Sequence, residues 1–178
     1  MTCIVGIAKE GKVYIGGDSC GSSYSWQQVG NPKVFTVDGR FLIGCTTSFR
    51  MIDLLRFEFS VPEQTSKQND DEFMRTTFVR SVRECFRHGG WMDKASEKNQ
   101  GGNFLVGYKG KLYEVQDDFS VLNSPEIGMS VGSGEMPARG SLYTTKDKKD
   151  QESRVRTALE SAESVVVSVR GPFDILTL

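Results

Sequence analysis

The chain has a single histidine, His88. Any Ser-His-Asp or Cys-His mechanism would have to run through it. It stands at the end of a helical pattern, directly before Gly89-Gly90, where a histidine usually faces solvent or meets the negative end of the helix dipole. Histidine-based nucleophilic catalysis is therefore not expected. Long apolar runs are also missing: none approaches the roughly 18 residues of a bilayer-spanning helix, and the N-terminus lacks the basic-then-apolar layout of a secretion signal. A soluble, cytoplasmic protein without membrane contact is expected. The four cysteines, Cys3, Cys20, Cys45 and Cys85, show no CxxC or other metal-ligand spacing. Three stand in apolar, strand-like surroundings and read as buried free thiols, so neither a metal nor a cofactor is expected.

Charge excess is absent as well. With 22 Lys and Arg against 23 Asp and Glu, the net charge of -1 leaves no electrostatic footprint for nucleic acid. A neutral or peptidic substrate is the natural expectation. The chain of 178 residues is long enough for one domain, 1–178, to bury a sizeable core.

What is present is a succession of short apolar segments with turn signals between them. Strands are predicted at Cys3–Lys9 and Lys12–Asp18 around a Glu10-Gly11 turn, and at Lys33–Val37 and Arg40–Cys45 around Asp38-Gly39. The period then becomes helical over Phe49–Phe59 and Asp70–Arg87, the second with Asn69 and Glu72 spaced as a capping box. Strands resume at Asn103–Tyr108, Lys111–Gln116 and Ile127–Val131. A helix with Pro137 in its first turn follows, then a helix through Val155, Ala158, Leu159 and Ala162, and closing strands at Val165–Val169 and Phe173–Leu178. Two sheets between two helical layers would bury all these stripes, which makes the expected class α+β, a four-layer αββα sandwich.

Candidate chemistry begins at the N-terminus. Thr2 stands directly behind Met1, and removing Met1 would put on one residue both an attacking oxygen and an amine able to take its proton. The first hairpin brings Asp18 beside Thr2. Lys33, at the entrance of an apolar strand, would meet both at the ends of three early strands. A buried Lys33 held by Asp18 would lower the pKa of the neighbouring α-amine and stabilise an alkoxide on Thr2. Gly132-Ser133-Gly134 lies where a strand turns into a helix, but it matches neither a Walker loop nor GxGxxG and reads as a tight turn. Tyr24 and Trp26, flanked by polar residues, are the aromatics expected to be exposed near a cleft.

In order and spacing, Thr2-Cys3-Ile4-Val5-Gly6, Gly16-Gly17-Asp18, Lys33-Val34-Phe35, Phe41-Leu42-Ile43-Gly44, Gly132-Ser133-Gly134 and Gly171-Pro172-Phe173-Asp174-Ile175 form a recognisable set. Over nearly its whole length the chain resembles the catalytic β-type subunits of the proteasome and HslV-like peptidases, which are N-terminal nucleophile hydrolases. That resemblance implies a threonine endopeptidase that cleaves unfolded polypeptides. Thr2 would be the nucleophile, Lys33 and Asp18 would tune it, Ser133 would organise the N-terminal group, and the Thr47 backbone N–H would form the oxyanion site. Cys20, Gly21, Cys45 and Ser48 would neighbour the substrate pocket. It further implies a homo-oligomeric ring of six or seven subunits, doubled, fed by an AAA+ unfoldase. The chain departs from the family at Thr47, where glycine is usual, and at Val166, Val169 and Arg170, which stand where the family has Asp, Ser and Gly. Two other readings share parts of this pattern: a catalytically inactive assembly subunit, and an amidohydrolase acting on a small amide.

Overall fold

A computed structural model describes residues 2–22, 26–28, 30–91 and 101–178, with the backbone alone at 22 and 26–28. The first strands, β1 (Cys3–Lys9) and β2 (Lys12–Gly17), pair antiparallel from Ile4 opposite Gly17 to Lys9 opposite Lys12. A short ribbon follows, β3 (Cys20–Ser22) with β4 (Trp26–Gln28), then the hairpin of β5 (Val34–Val37) and β6 (Phe41–Cys45). Helix α1 (Phe49–Asp53) runs on into a wider π-type turn, Leu54–Glu58. Similarly α2 (Asp70–Phe73) continues through a π-type turn, Met74–Phe78, into α3 (Val79–His88). The chain closes with β7 (Phe104–Tyr108), β8 (Lys111–Val115), β9 (Val121–Asn123), β10 (Met129–Gly132), α4 (Glu135–Thr144), α5 (Gln151–Val165) and β11 (Asp174–Thr177).

Local chemistry explains the boundaries. The turn pairs Glu10-Gly11, Asp38-Gly39 and Lys109-Gly110 all have positive φ at both residues, between 48° and 76°. Such a left-handed pair matches the twist of the strands it joins. Asn69 Oδ1 accepts from the Glu72 N–H at 2.9 Å and starts α2, while Ser48 and Asp150 cap α1 and α5 in the same way.

The strands form two antiparallel sheets of four and five strands, ordered β10-β1-β2-β11 and β5-β6-β7-β8-β9. Alternation along β1 divides its side chains between two cores. Cys3, Val5 and Ile7 pack against Leu142, Val155 and Leu159 of α4 and α5. Ile4 faces the other sheet with Val13, Ile15, Leu42, Leu105 and Leu112. Beyond the second sheet, Phe41, Ile43 and Val106 meet Met51, Phe73, Phe78 and Val82 from α1 to α3. The architecture is a four-layer αββα sandwich of the α+β class.

One predicted strand is a correction. Val165 ends α5 rather than opening a strand, and residues 166–169 turn, with the Val169 N–H donating to the Val166 carbonyl at 3.0 Å. The four-stranded sheet runs β10-β1-β2-β11 and does not include the β-branched run, which pairs with no strand. Arg170 Nη1 instead donates to the carbonyls of Glu163 and Val169 at 3.0 and 2.9 Å, closing the C-terminal end of α5. Strands β3, β4 and β9 were not foreseen; each has only three residues, too few for a period to show. Tyr24 lies outside the described residues, and Trp26 contributes only backbone to β4.

Candidate active site

Sheet order gathers the N-terminal group. Because β1 lies between β2 and β10, with Ile4 opposite Gly17 and Cys3 opposite Gly132, the flanking residues Thr2, Asp18 and Ser133 come together at one end of the sheet. Lys33 reaches the same point from the start of β5 in the other sheet. Gly132 makes the close fit to Thr2 achievable. It sits at φ 99°, and a Cβ there would fall inside contact distance of the Thr2 carbonyl oxygen.

Lys33 Nζ donates to Thr2 Oγ1 and to Asp18 Oδ1, each at 2.9 Å, and to the Cys20 carbonyl at 2.6 Å. All three ammonium protons are thereby used. Asp18 accepts two backbone N–H groups besides, from Cys3 at 2.9 Å and from Cys20 at 3.0 Å. Both side chains are almost wholly buried, at 2% and 0% exposure. A buried ion pair is tolerable only when its remaining hydrogen bonds are made, as they are here. On the other side of Thr2, its backbone N–H donates to Ser133 Oγ at 3.2 Å. The nucleophile candidate is thus held between a cation at its hydroxyl and a hydroxyl at its nitrogen.

Two cavities flank Thr2. One of about 340 Å³ is lined by Gly21, Lys33, Thr46, Thr47, Ser48 and Arg50 among others. The second, about 490 Å³, lies on the Ser133 side and includes Gly102, Asn103, Asp117, Gly132 and Glu135. Thr47 lines both. Its φ is 64°, and its N–H has no acceptor among the described residues. Of the residues expected near the pocket, Gly21 and Ser48 line the first cavity. Cys20 and Cys45 line neither; both side chains are fully buried.

No protein-family model matches the sequence, and no curated protein matches it either. Solved structures do. BPH from Thiobacillus denitrificans superposes with a TM-score of 0.82 at 16% identity, covering 99% of this chain and 97% of that one, and the same protein is known in complex with epoxomicin. Eukaryotic HslV from Trypanosoma brucei gives a TM-score of 0.71 at 18% identity, over 99% and 98%. Anbu, an ancestral β-subunit, from Yersinia bercovieri gives 0.69 at 14%, over 100% and 81%. The fold is that of the proteasome-type N-terminal nucleophile hydrolases.

Within that proteasome-type frame the chain's departures acquire physical form. Thr47 occupies a left-handed conformation that favours glycine, so this β-branched residue is held there under strain. Arg170 is the clasp on α5 described above. Val166 and Val169, standing where the resemblance places Asp and Ser, offer no polar side chain, but Ser168 beside them is buried and brings its hydroxyl to 3.4 Å from Ser133 Oγ. Sequence reasoning missed Ser168 because it treated residues 165–169 as a strand. Glu135 and Asp117 were missed too, although Glu135 is the first residue of the helix that Gly132-Ser133-Gly134 opens.

Other nucleophiles are disfavoured by their surroundings. Burial, reinforced by Asp18, pushes the Cys3 thiol up to about 12, so the thiol beside Thr2 stays protonated. His88 is exposed at the end of α3 and lines neither cavity. Among the described residues no cluster of metal-ligating side chains occurs, and no helix is long and apolar enough to cross a membrane.

Proposed function

We propose that this chain is a threonine-type peptidase subunit that becomes competent when Met1 is removed. The observation that carries the proposal is Lys33 Nζ, buried and 2.9 Å from both Thr2 Oγ1 and Asp18 Oδ1. Freed of Met1, Thr2 presents an α-amine next to its own hydroxyl. The Oγ1 proton passes to that amine, directly or through a water, as Oγ1 attacks the peptide carbonyl. The Lys33 ammonium stabilises the developing alkoxide and disfavours protonation of the amine before attack.

The tetrahedral oxyanion takes a hydrogen bond from the Thr47 N–H, a type of donor worth about 3–4 kcal/mol of barrier. The ammonium then returns its proton to the leaving nitrogen, the C–N bond breaks, and a threonyl ester remains. Water activated by the same amine hydrolyses the ester and restores Thr2. Ser133, backed by Ser168, fixes the amine throughout.

Cavities on both sides of Thr2 favour an extended polypeptide over a small amide. A fully hydrogen-bonded charge pair against the nucleophile likewise favours catalysis over a purely structural subunit, since such pairs are weak sources of stability. Following the fold, we place the subunit in a homo-oligomeric ring of six or seven, doubled, with its sites facing a chamber that an AAA+ unfoldase supplies. The cysteines, all free, suit the reducing cytoplasm.

Intact mass of the protein from its native host, before and after epoxomicin, tests this reading. An epoxyketone offers two electrophilic carbons to a 1,2-amino alcohol, so the expected result is loss of Met1 and one adduct on Thr2. Thr2→Ala should abolish adduct and cleavage, and Lys33→Ala should slow cleavage by about 10²–10⁴-fold. Retained Met1 with no adduct would overturn the proposal.

A further inference from the structure

The two cavities are chemically unlike, and their positions relative to Thr2 assign them different halves of a substrate. The first contains Lys33, which touches the Thr2 hydroxyl. The second contains Ser133, which touches the Thr2 nitrogen. In the acylation step the proton leaves Oγ1 for the α-amine and then moves to the leaving nitrogen as the C–N bond breaks. The departing amine must therefore lie on the nitrogen side of Thr2, so the cavity at Ser133 receives the part of the substrate downstream of the cut.

That cavity is acidic. Asp117 and Glu135 are the charged residues among its described lining, which also includes Asn103, Gly101 and Gly102. Neither carboxylate has an ion-pair or side-chain hydrogen-bond partner among the described residues. The field of Glu135 already extends to the neighbourhood of Thr2, where it helps to raise the Cys3 thiol. Of the cations around it, Lys33 is spent on Asp18, Thr2 and the Cys20 carbonyl, and Arg139, one turn along α4 from Glu135, donates to the Ser130 carbonyl and lies outside the cavity lining. The carboxylates are left to act on whatever enters.

We infer that Asp117 and Glu135 are specificity residues of the leaving-group side, selecting polypeptides with Lys or Arg in the first positions after the cleaved bond. The inference rests on the peptidase reading. Besides pairing with such side chains, the acidic wall favours protonation by water of the departing fragment's new α-amine, which is released neutral, and the resulting ammonium cannot attack the ester in reverse.

The test is digestion of an unfolded protein by the processed enzyme, with all cut sites mapped by mass spectrometry. Cuts before Lys or Arg should outnumber cuts before Asp or Glu by roughly tenfold after correction for composition, the effect of two partly exposed charge pairs of ordinary strength. The preference should shrink at high salt. In Asp117→Asn/Glu135→Gln it should collapse to near unity, whereas Glu160→Gln on the outer face of α5 should leave it intact. Epoxomicin labelling of Thr2 is measured alongside. Labelling and cleavage without charge discrimination, or discrimination that survives in the double variant, overturns this inference and leaves the peptidase reading standing. Absence of both labelling and cleavage overturns the two together.

Discussion

At the scale of single residues, Thr47 is the clearest case of stability set against position. A left-handed backbone costs an L-residue about 1–2 kcal/mol, and more when the side chain is β-branched. Thr47 accepts that cost at φ 64° between two cavities, where its orientation decides where its N–H is presented. Thr47→Gly keeps the N–H and removes the strain, at the expense of a 3.1 Å contact between the Thr46 and Thr47 hydroxyls. The variant should gain roughly 0.5–1 kcal/mol, read as a higher denaturant midpoint at unchanged slope. A lower midpoint would mean that the Thr47 side chain contributes more than its backbone costs.

At the scale of elements, the helices from α1 to α3 are held to the second sheet by stacked aromatics. Phe41 of β6 stacks on Tyr108 of β7 at 4.5 Å and on Phe78 at 5.2 Å, and Phe78 meets Phe59 edge-on at 5.5 Å. Phe78→Ala should cost about 3–5 kcal/mol, because so many buried partners cannot all collapse into the space. Thr2 should keep its reactivity per folded molecule, since Phe78 lies in the outer core and not at the end of β1. Urea unfolding paired with active-site titration measures both effects. These elements also show what a sequence can disclose. The hairpins β1–β2, β5–β6 and β7–β8 and the longer helices were legible because their signals are local: two turn residues, a cap, one period. The meeting of Thr2 with Asp18 was legible for the same reason, being the closed end of a single hairpin. Val165–Val169 misled because β-branching reports that a segment suits a strand, not that the chain brings it alongside another strand. Ser168 was hidden by that same error, and Glu135 and Asp117 because nothing local says that residues so far from Thr2 in sequence line a cavity with it.

At the scale of the whole molecule, acidic groups are buried in two of the three cores, and their titration is coupled to global unfolding. Burial raises the Cys3 thiol, in the layer against α4 and α5, from 9.0 to about 12. Burial likewise raises Cys45 and Tyr113, in the layer against α1 to α3, and the Tyr113 hydroxyl is further held protonated by donating to Asp71 at 3.0 Å. A folded-state pKa above the unfolded value means that the native protein holds its proton more tightly. The associated stability is complete below pH 9 and is lost progressively as pH rises from about 9 towards 12 for Cys3. The denaturant midpoint, measured under reductant, should therefore be flat on the neutral side of pH 9 and fall steadily above it. Cys3→Ala should start from a lower midpoint, because a buried side chain is trimmed, yet fall less steeply. A midpoint that stays level to pH 12 would show that these groups ionise without loss of the sandwich, and so that the cores admit water before the chain unfolds.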